Sequence, residues 1–485
     1  MRKVIRVLLI LLLFFVAAFM AAAFYMLKKH QDSGVYLANT YYMGQNVEGR
    51  RPAEILDAIL RDVDSVDVEI TENNETAIAG KLAEFGFTLD KDAAEKSLTD
   101  AMDAQKENIA TIFKCLTGEE TQVTAAVVWQ FDQETFDKKV NKAALPEKRV
   151  ASVDAEFITD MENRTFYIKP EVSGNDFDEA AFKNWAKEII ENSLADNGTK
   201  DISMKFPKEF YILPKVTQDD PELVSKLSAY SPYAGAEVTY VYGSVKEVLD
   251  FETILSWLDV SGSTATVNEE KLNAFLADIK ARYNTRYRTR KFVTHSGKTI
   301  TIPENLNEYG YRLNEDAERE QLLEDLTCGE PVEREPVWYK TNKWDNPVYY
   351  GREGTDDLAG NYIEVSIDEQ HLWFYKDGKV FLDSDVVTGD ITKNRGTVTG
   401  AYPMAYKLND YTLRGGEGSG AYATKVKYWM LFIEGQGLHD ATWRSKFGGS
   451  VYKGNGSHGC VNLPKKVAKK IFENVRAGIA IIIYD

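Results

Sequence analysis

Near its C-terminus the chain reads Gly456-Ser457-His458-Gly459-Cys460-Val461-Asn462-Leu463, and His439 stands 21 positions before Cys460. A cysteine attacks as its thiolate, so a working thiol needs a base within reach, and histidine is the side chain whose proton moves near neutral pH. Small residues around Cys460 let a peptide backbone approach. This pattern points to Cys460 as a nucleophile, with His439 as the candidate proton donor and acceptor. His458, Gly459 and Ser457 support the pocket, and the backbone N–H groups of Gly459 and Cys460 are the expected donors to a developing oxyanion. Asp440 adjoins His439, but successive residues of an extended chain face opposite ways, so a different acceptor, backbone or side chain, is expected to orient the imidazole. Zinc is the chemical rival. A His-x-Cys pair lacks the usual ligand spacing and no Cys-x-x-Cys occurs, so neither metal nor cofactor is expected. His295 and His371 are read as structural.

The elements around these residues read as β-structure. Ile363 to Ile367 alternates, and His371 to Lys376 is separated from Val380 to Leu382 by Asp377-Gly378, a strong hairpin signal. Val386 to Gly389, Gly400 to Tyr402 and Tyr428 to Ile433 continue the pattern, with glycine-rich turns at 415–420. One helix is expected between Pro464 and Arg476, with Pro464 at its first position and Gly478 just past its end. Its N-terminus would favour a thiolate if it points at the site. A mostly β domain over 361–485 follows.

Upstream lies a repeat. Polar turns at Glu72-Asn73-Asn74-Glu75, Glu162-Asn163-Arg164 and Ser296-Gly297 are each followed by a glycine, at Gly86, Gly174 and Gly310. Behind the glycines, Asp90, Asp178 and Asn314 stand where helix N-caps would satisfy free backbone N–H groups. The reading is of α+β modules in series: 31–120, shorter than the others, then 121–235 and 236–340. A linker over 341–360, rich in Asn, Asp, Gly and Pro, joins them to the C-terminal domain.

Val7 to Leu27 is a run of 21 residues without a charge, preceded by Arg2, Lys3 and Arg6. That length crosses a bilayer core of roughly 30 Å. Basic residues before the run favour a cytosolic N-terminus. Its length also favours an uncleaved anchor in residues 1–30 over a cleavable signal peptide. The whole chain carries 58 basic and 75 acidic residues; without the five basic and no acidic residues of positions 1–30 the balance is 53 to 75, a net charge of −22. Such a surface argues against nucleic acid as a partner. Three cysteines permit one bridge at most, and Cys115 and Cys328 are expected as free, buried or half-buried thiols.

Residues 361–485 resemble the L,D-transpeptidase catalytic domain of the YkuD family. The resemblance is carried by Val365 to Leu372, by Gly437-Leu438-His439-Asp440 and by Ser457-His458-Gly459-Cys460-Val461-Asn462, in the family's order. The upstream modules resemble the peptidoglycan-binding module found before catalytic domains in exported Gram-positive wall proteins, and they serve equally well as spacers. The resemblance implies a single-pass protein of the cell membrane whose C-terminal part faces the wall. It would cross-link peptidoglycan stem peptides: Cys460 attacks the carbonyl of the third stem residue, a diamino acid, and expels D-alanine. The side-chain amine of a second stem then resolves the thioester. Acylation of Cys460 by a carbapenem is implied as well. Many relatives carry arginine where this chain has Asn462, which is read as a substrate contact. The alternatives are hydrolysis of the thioester, a wall-binding protein without catalysis, and attachment of another wall component to the stem.

Overall fold

The computed structural model of the chain describes residues 2–145, 148–197, 200–339, 351–415 and 422–485. They form two compact units, one of Met1–Ala155 with Glu171–Thr217, the other of Glu156–Pro170 with Gln218–Asp485.

The first unit opens with α1 (Arg2–Gln31), in which no residue is buried. Among the described residues it is the one helix long and apolar enough to cross a membrane. Two further helices, α2 (Pro52–Ser65) and α3 (Lys91–Glu107), bury Ile55, Leu56, Leu98 and Met102 against Tyr36 and Tyr42. After Asn108 the chain turns into α4 (Ile109–Leu116). The strand Asp67–Glu72 pairs antiparallel with Glu75–Lys81 across a turn in which Asn73 and Asn74 both take positive φ. It also pairs in parallel with Ile202–Lys205. Helix Glu179–Asn197 lays Phe182, Ala186, Ile190 and Leu194, spaced at helical period, onto the same core as Val68 and Ile70.

This arrangement differs from modules in series. Residues 179–205, expected within 121–235, complete the core of 31–120. The hairpin Glu156–Asp160/Thr165–Lys169 belongs instead to the second unit, where Phe166 packs on Tyr230 and Phe251. Local periodicity reports which face of an element is apolar and carries no information on which distant strand it pairs with. The caps are closer to expectation. Asp90 accepts the N–H of Ala93, and Asp178 those of Ala180 and Ala181. Asn314 stands at the N-cap of helix Glu315–Asp325 without a side-chain hydrogen bond, and Glu315, Asp316 and Glu318 supply negative charge to that first turn instead.

In the second unit, Val238–Tyr242 lies between Val245–Leu249 and Val332–Arg334, over helices Glu269–Tyr283 and Glu315–Asp325. Of the expected linker, residues 341–350 lie outside the described residues, as do 416–420 of the glycine-rich turn. Within 351–360, Arg352 and Asp357 are buried. The Arg352 guanidinium stands 5.4, 5.5, 4.4 and 4.9 Å from the rings of Tyr242, Tyr283, Tyr311 and Trp338. Asp357, fully buried, receives both terminal nitrogens of Arg290 at 2.7 and 2.8 Å, and its carbonyl accepts the Tyr309 hydroxyl. Loop-like composition here hides a buried ion pair.

Among its described residues the C-terminal region contains nine strands: β1 (Tyr362–Ser366), β2 (His371–Lys376), β3 (Lys379–Asp385), β4 (Gly400–Pro403), β5 (Tyr406–Gly415), β6 (Tyr422–Ile433), β7 (Gln436–Asp440), β8 (Val461–Leu463) and β9 (Ala480–Tyr484). One sheet has the order β3-β2-β1-β9-β4, the other β5-β6-β7-β8. Asp377 and Gly378, both at positive φ, make the expected β2–β3 turn. Helix Lys465–Asn474 buries Ala468 and Ile471 in the main core, and Pro464 occupies its N-cap, one place before the expected first position. All of β9 is buried. Ile481 and Ile483 face that core, while Ala480, Ile482 and Tyr484 pack with Phe292, Ile302 and Tyr309 from the hairpin Arg290–Val293/Thr299–Ile302 and its neighbour. A strand covered on both faces reads as a continuous apolar run, as Ala-Ile-Ile-Ile-Tyr does.

All three cysteines are free; Cys115 and Cys460 are buried, but Cys328 is exposed, contrary to expectation. Its Sγ donates to the carbonyls of Asp325 and Glu330 at the end of its helix.

Candidate active site

The second sheet sets the geometry. β7 runs antiparallel to β6 and parallel to β8, which puts His439 opposite Trp429 on one side and beside Asn462 on the other. Cys460 immediately precedes β8. His439, Ser457, His458, Cys460 and Asn462 therefore line one cavity of about 420 Å³, across a sequence gap that the β7–β8 pairing closes.

Glycine is required at two points of this loop, and at Gly456 a Cβ would lie 2.5 Å from the backbone nitrogen of Asp390. Gly459 takes φ +119°, and a Cβ there would lie 2.6 Å from Nε2 of Gln436. Its carbonyl accepts the Thr397 hydroxyl at 2.8 Å, while Thr397 Oγ1 accepts Gly389 N–H at 2.9 Å. The loop is also bridged to Thr388 and Asp390 through the backbone of Ser457. The Ser457 hydroxyl accepts the N–H of Gly459 at 3.0 Å and donates to the carbonyl of Cys460. This corrects one expectation. The Gly459 N–H is already committed to Ser457 and is not an oxyanion donor in this arrangement.

His439 is buried, and its Nδ1 lies 2.9 Å from the backbone carbonyl of Asp440. A carbonyl only accepts, so Nδ1 carries the proton and Nε2 keeps its lone pair. The Asp440 carboxylate is turned away, accepting the N–H groups of Lys427 and Tyr428 at 2.7 and 2.8 Å. As expected, the orienter is not that side chain. It is the carbonyl of the same residue.

Burial pushes the Cys460 thiol up to about 11, against a smaller opposing contribution from the Gly437 backbone. Burial likewise holds His439 below the ordinary imidazole range, and the opposing interactions with Asp440 are weaker. Both shifts favour the neutral thiol–imidazole pair over the ion pair. The thiol donates to the Gly435 carbonyl at 3.7 Å, and the described residues show no hydrogen bond between Cys460 and His439. His458 is exposed at the rim, its ring 4.8 Å from that of Tyr422; burial, Arg395 and Lys393 lower its proton affinity.

Asn462 is 1% exposed, and neither its amide nitrogen nor its oxygen has a partner among the described residues. An unpaired buried amide facing a cavity is costly unless a ligand completes it. Arg444 and Trp443 also line the cavity, although neither belongs to a motif in the sequence. Arg444 donates to the Asn455 carbonyl at 2.6 Å, yet its buried Nε has no partner among the described residues and burial lowers its proton affinity. Its only sequence signal is faint: a lone arginine five places after His439. The N-terminus of helix Lys465–Asn474 follows β8 directly. The described residues give no group bringing together three or more potential metal ligands.

The family model of the L,D-transpeptidase catalytic domain, YkuD, matches residues 360–483. A second model, described as "Putative peptidoglycan binding domain", matches residues 239–333. The crystal structure of an Enterococcus faecium L,D-transpeptidase mutant is 29% identical over 52% of this chain and 97% of its own, with a TM-score of 0.43. The NMR structure of the E. faecium L,D-transpeptidase catalytic domain is 40% identical over 26% of this chain and 96% of its own, with a TM-score of 0.24. The same domain acylated by ertapenem is also 40% identical, over 26% and 97%, with a TM-score of 0.24. No curated protein matches the chain. A YkuD catalytic domain behind a peptidoglycan-binding domain makes this chain a member of the L,D-transpeptidases, enzymes acting on peptidoglycan.

Proposed function

We propose that the chain is a membrane-anchored L,D-transpeptidase that joins peptidoglycan stems through a thioester on Cys460. The observation that carries this reading is that Cys460 and His439 line one cavity, with the His439 tautomer set by the Asp440 carbonyl so that Nε2 is the basic nitrogen.

Because the resting pair is neutral, the thiol proton passes to Nε2 as sulfur attacks the carbonyl carbon of the third stem residue. The tetrahedral oxyanion is met by the Cys460 N–H. Collapse breaks the C–N bond, and His439 returns the proton to the departing D-alanine amine. The amine of a second stem then attacks the thioester carbon, gives its proton to His439, and the C–S bond breaks to restore the thiol. Water in place of the amine gives carboxypeptidation. Ser457 holds the loop, and His458 flanks the entrance.

Asn462 contacts the substrate peptide through its unpaired amide, and Arg444 supplies positive charge for the D-alanine carboxylate one residue from the scissile bond. In this reading α1 is the anchor, with Arg2, Lys3 and Arg6 cytosolic and the remainder facing the wall. The residues between the anchor and the catalytic domain, among them the peptidoglycan-binding match at 239–333, bind glycan or act as spacers.

The test is incubation of the full chain with a muropeptide bearing a tetrapeptide stem. Mass spectrometry should find cross-linked dimer and released D-alanine. If neither forms, the enzyme reading fails; if Cys460→Ala remains fully active, the nucleophile is elsewhere.

A further inference from the structure

Outside the site, one surface carries chemistry that the transpeptidase reading does not use. Helix α4 has the sequence Ile-Ala-Thr-Ile-Phe-Lys-Cys-Leu. Ile112 and Cys115 are buried, forming a small cluster with Leu37. Ile109, Phe113 and Leu116 fall at i, i+4 and i+7, a single face of the helix, and are 65%, 67% and 55% exposed. Three large apolar side chains side by side on an eight-residue helix of an exported, strongly acidic protein ask for a cover.

The neighbouring element says what that cover is. Leu27, the last residue of the uncharged run, packs against the same Leu37, Ile112 and Cys115 cluster. Gln31 at the end of α1 donates to the Lys106 carbonyl, and the Lys106 ammonium donates back to the Ser33 carbonyl. The exit of α1 is thus tied to the junction of α3 and α4. Asn39 adds a bond to the Cys115 carbonyl at the C-terminal end of α4. An apolar face fixed beside the last turn of a lipid-facing helix continues that helix's own apolar surface. Lys28 and Lys29, in the same last turn, are at the depth where basic side chains reach phosphate headgroups.

We infer that α4 is an interfacial helix, which lays Ile109, Phe113 and Leu116 into the outer leaflet of the phospholipid bilayer and fixes the first unit against the membrane. The inference rests on the reading of α1 as a membrane anchor. Without the bilayer, this face has no cover among the described residues.

The test uses the full chain in phosphatidylcholine–phosphatidylglycerol vesicles with a photoreactive benzoylphenylalanine installed at position 113. The same probe at position 14, within α1, reports the anchor, and at Leu213, also 65% exposed, it reports background. Irradiation should give acyl-chain adducts at 14 and 113 and few at 213. Adducts at 14 with none at 113 would overturn the inference and leave the anchor standing. Cross-linking from 113 to a second protein chain would also overturn it, assigning the face to self-association. Absence of lipid adducts at both 14 and 113 would remove the anchor reading and this inference with it. A Phe113→Ser variant, which alters an exposed position, should keep its solution unfolding midpoint.

Discussion

Two buried polar clusters in the second unit follow opposite rules. At Arg290 and Asp357, every oxygen of the carboxylate is answered: two guanidinium nitrogens at 2.7 and 2.8 Å, the Thr285 hydroxyl, and Tyr309 on the adjoining carbonyl. Around Cys460 the cluster is incomplete. Asn462 has an unpaired amide, Arg444 an unpaired Nε, and His439 a basic nitrogen aimed at no hydrogen-bond donor among the described residues. Closed polarity holds the fold together, whereas open polarity around a cavity waits for a substrate to complete it.

Five measurements can break or sharpen that contrast. The largest effect is expected at the open cluster: Cys460→Ala should remove D-alanine release altogether, and His439→Ala should lower it by about 10²–10⁴-fold, both with little change in unfolding midpoint. A large loss of stability in either variant would mean that these residues are structural. At the closed cluster, Asp357→Ala strands a buried guanidinium and should cost about 3–5 kcal/mol in denaturant unfolding. A cost below about 1 kcal/mol, the range of an exposed pair, would show that the cluster is not truly closed.

Asn462→Leu tests the difference directly. It removes an amide that has no partner, so stability should hold or rise by about 1–3 kcal/mol while kcat/KM falls. Loss of stability would mean the amide is satisfied in the folded protein. The smallest effects are in pH. His439 is held below its ordinary value, so it stays a base to below pH 6.5, and kcat/KM should fall only on the acid side of that point. The Cys460 thiol titrates near 11, above its unfolded value of 9.0. The folded state therefore binds the extra proton between those values, and the contribution to stability is lost as pH rises through that window. Thiol alkylation followed against pH checks it; a thiolate already formed at pH 7 would refute the neutral pair.

Much of the site is legible in the residues themselves. The order of His439, Ser457, Gly459 and Cys460 carries the chemistry, and Asp377-Gly378 locates a hairpin because few residue pairs tolerate two positive φ values in succession. The Gly459 N–H reads as an oxyanion donor but is bonded to the Ser457 hydroxyl in this structure, because the partner of that small hydroxyl depends on a loop shape that no local pattern reports. Arg444 stays hidden because one arginine off any motif resembles every surface arginine. Residues 351–360 have the composition of a linker, since Gly and Asp are loop formers, although Arg352 and Asp357 there are buried.

What this chain determines by sequence alone is local: side-chain chemistry, the period of each apolar face, turn residues with forced dihedral angles, and a run of 21 uncharged residues. What the tertiary structure decides is which distant segments meet. The parallel pairing of β7 with β8 brings Asn462 beside His439 and seats Cys460 in their cavity, and Ile202–Lys205 joins a strand more than a hundred residues earlier. Backbone hydrogen bonds between strands are nearly blind to side-chain identity. The choice of partner is therefore made by burial of the whole core, a property no single segment encodes.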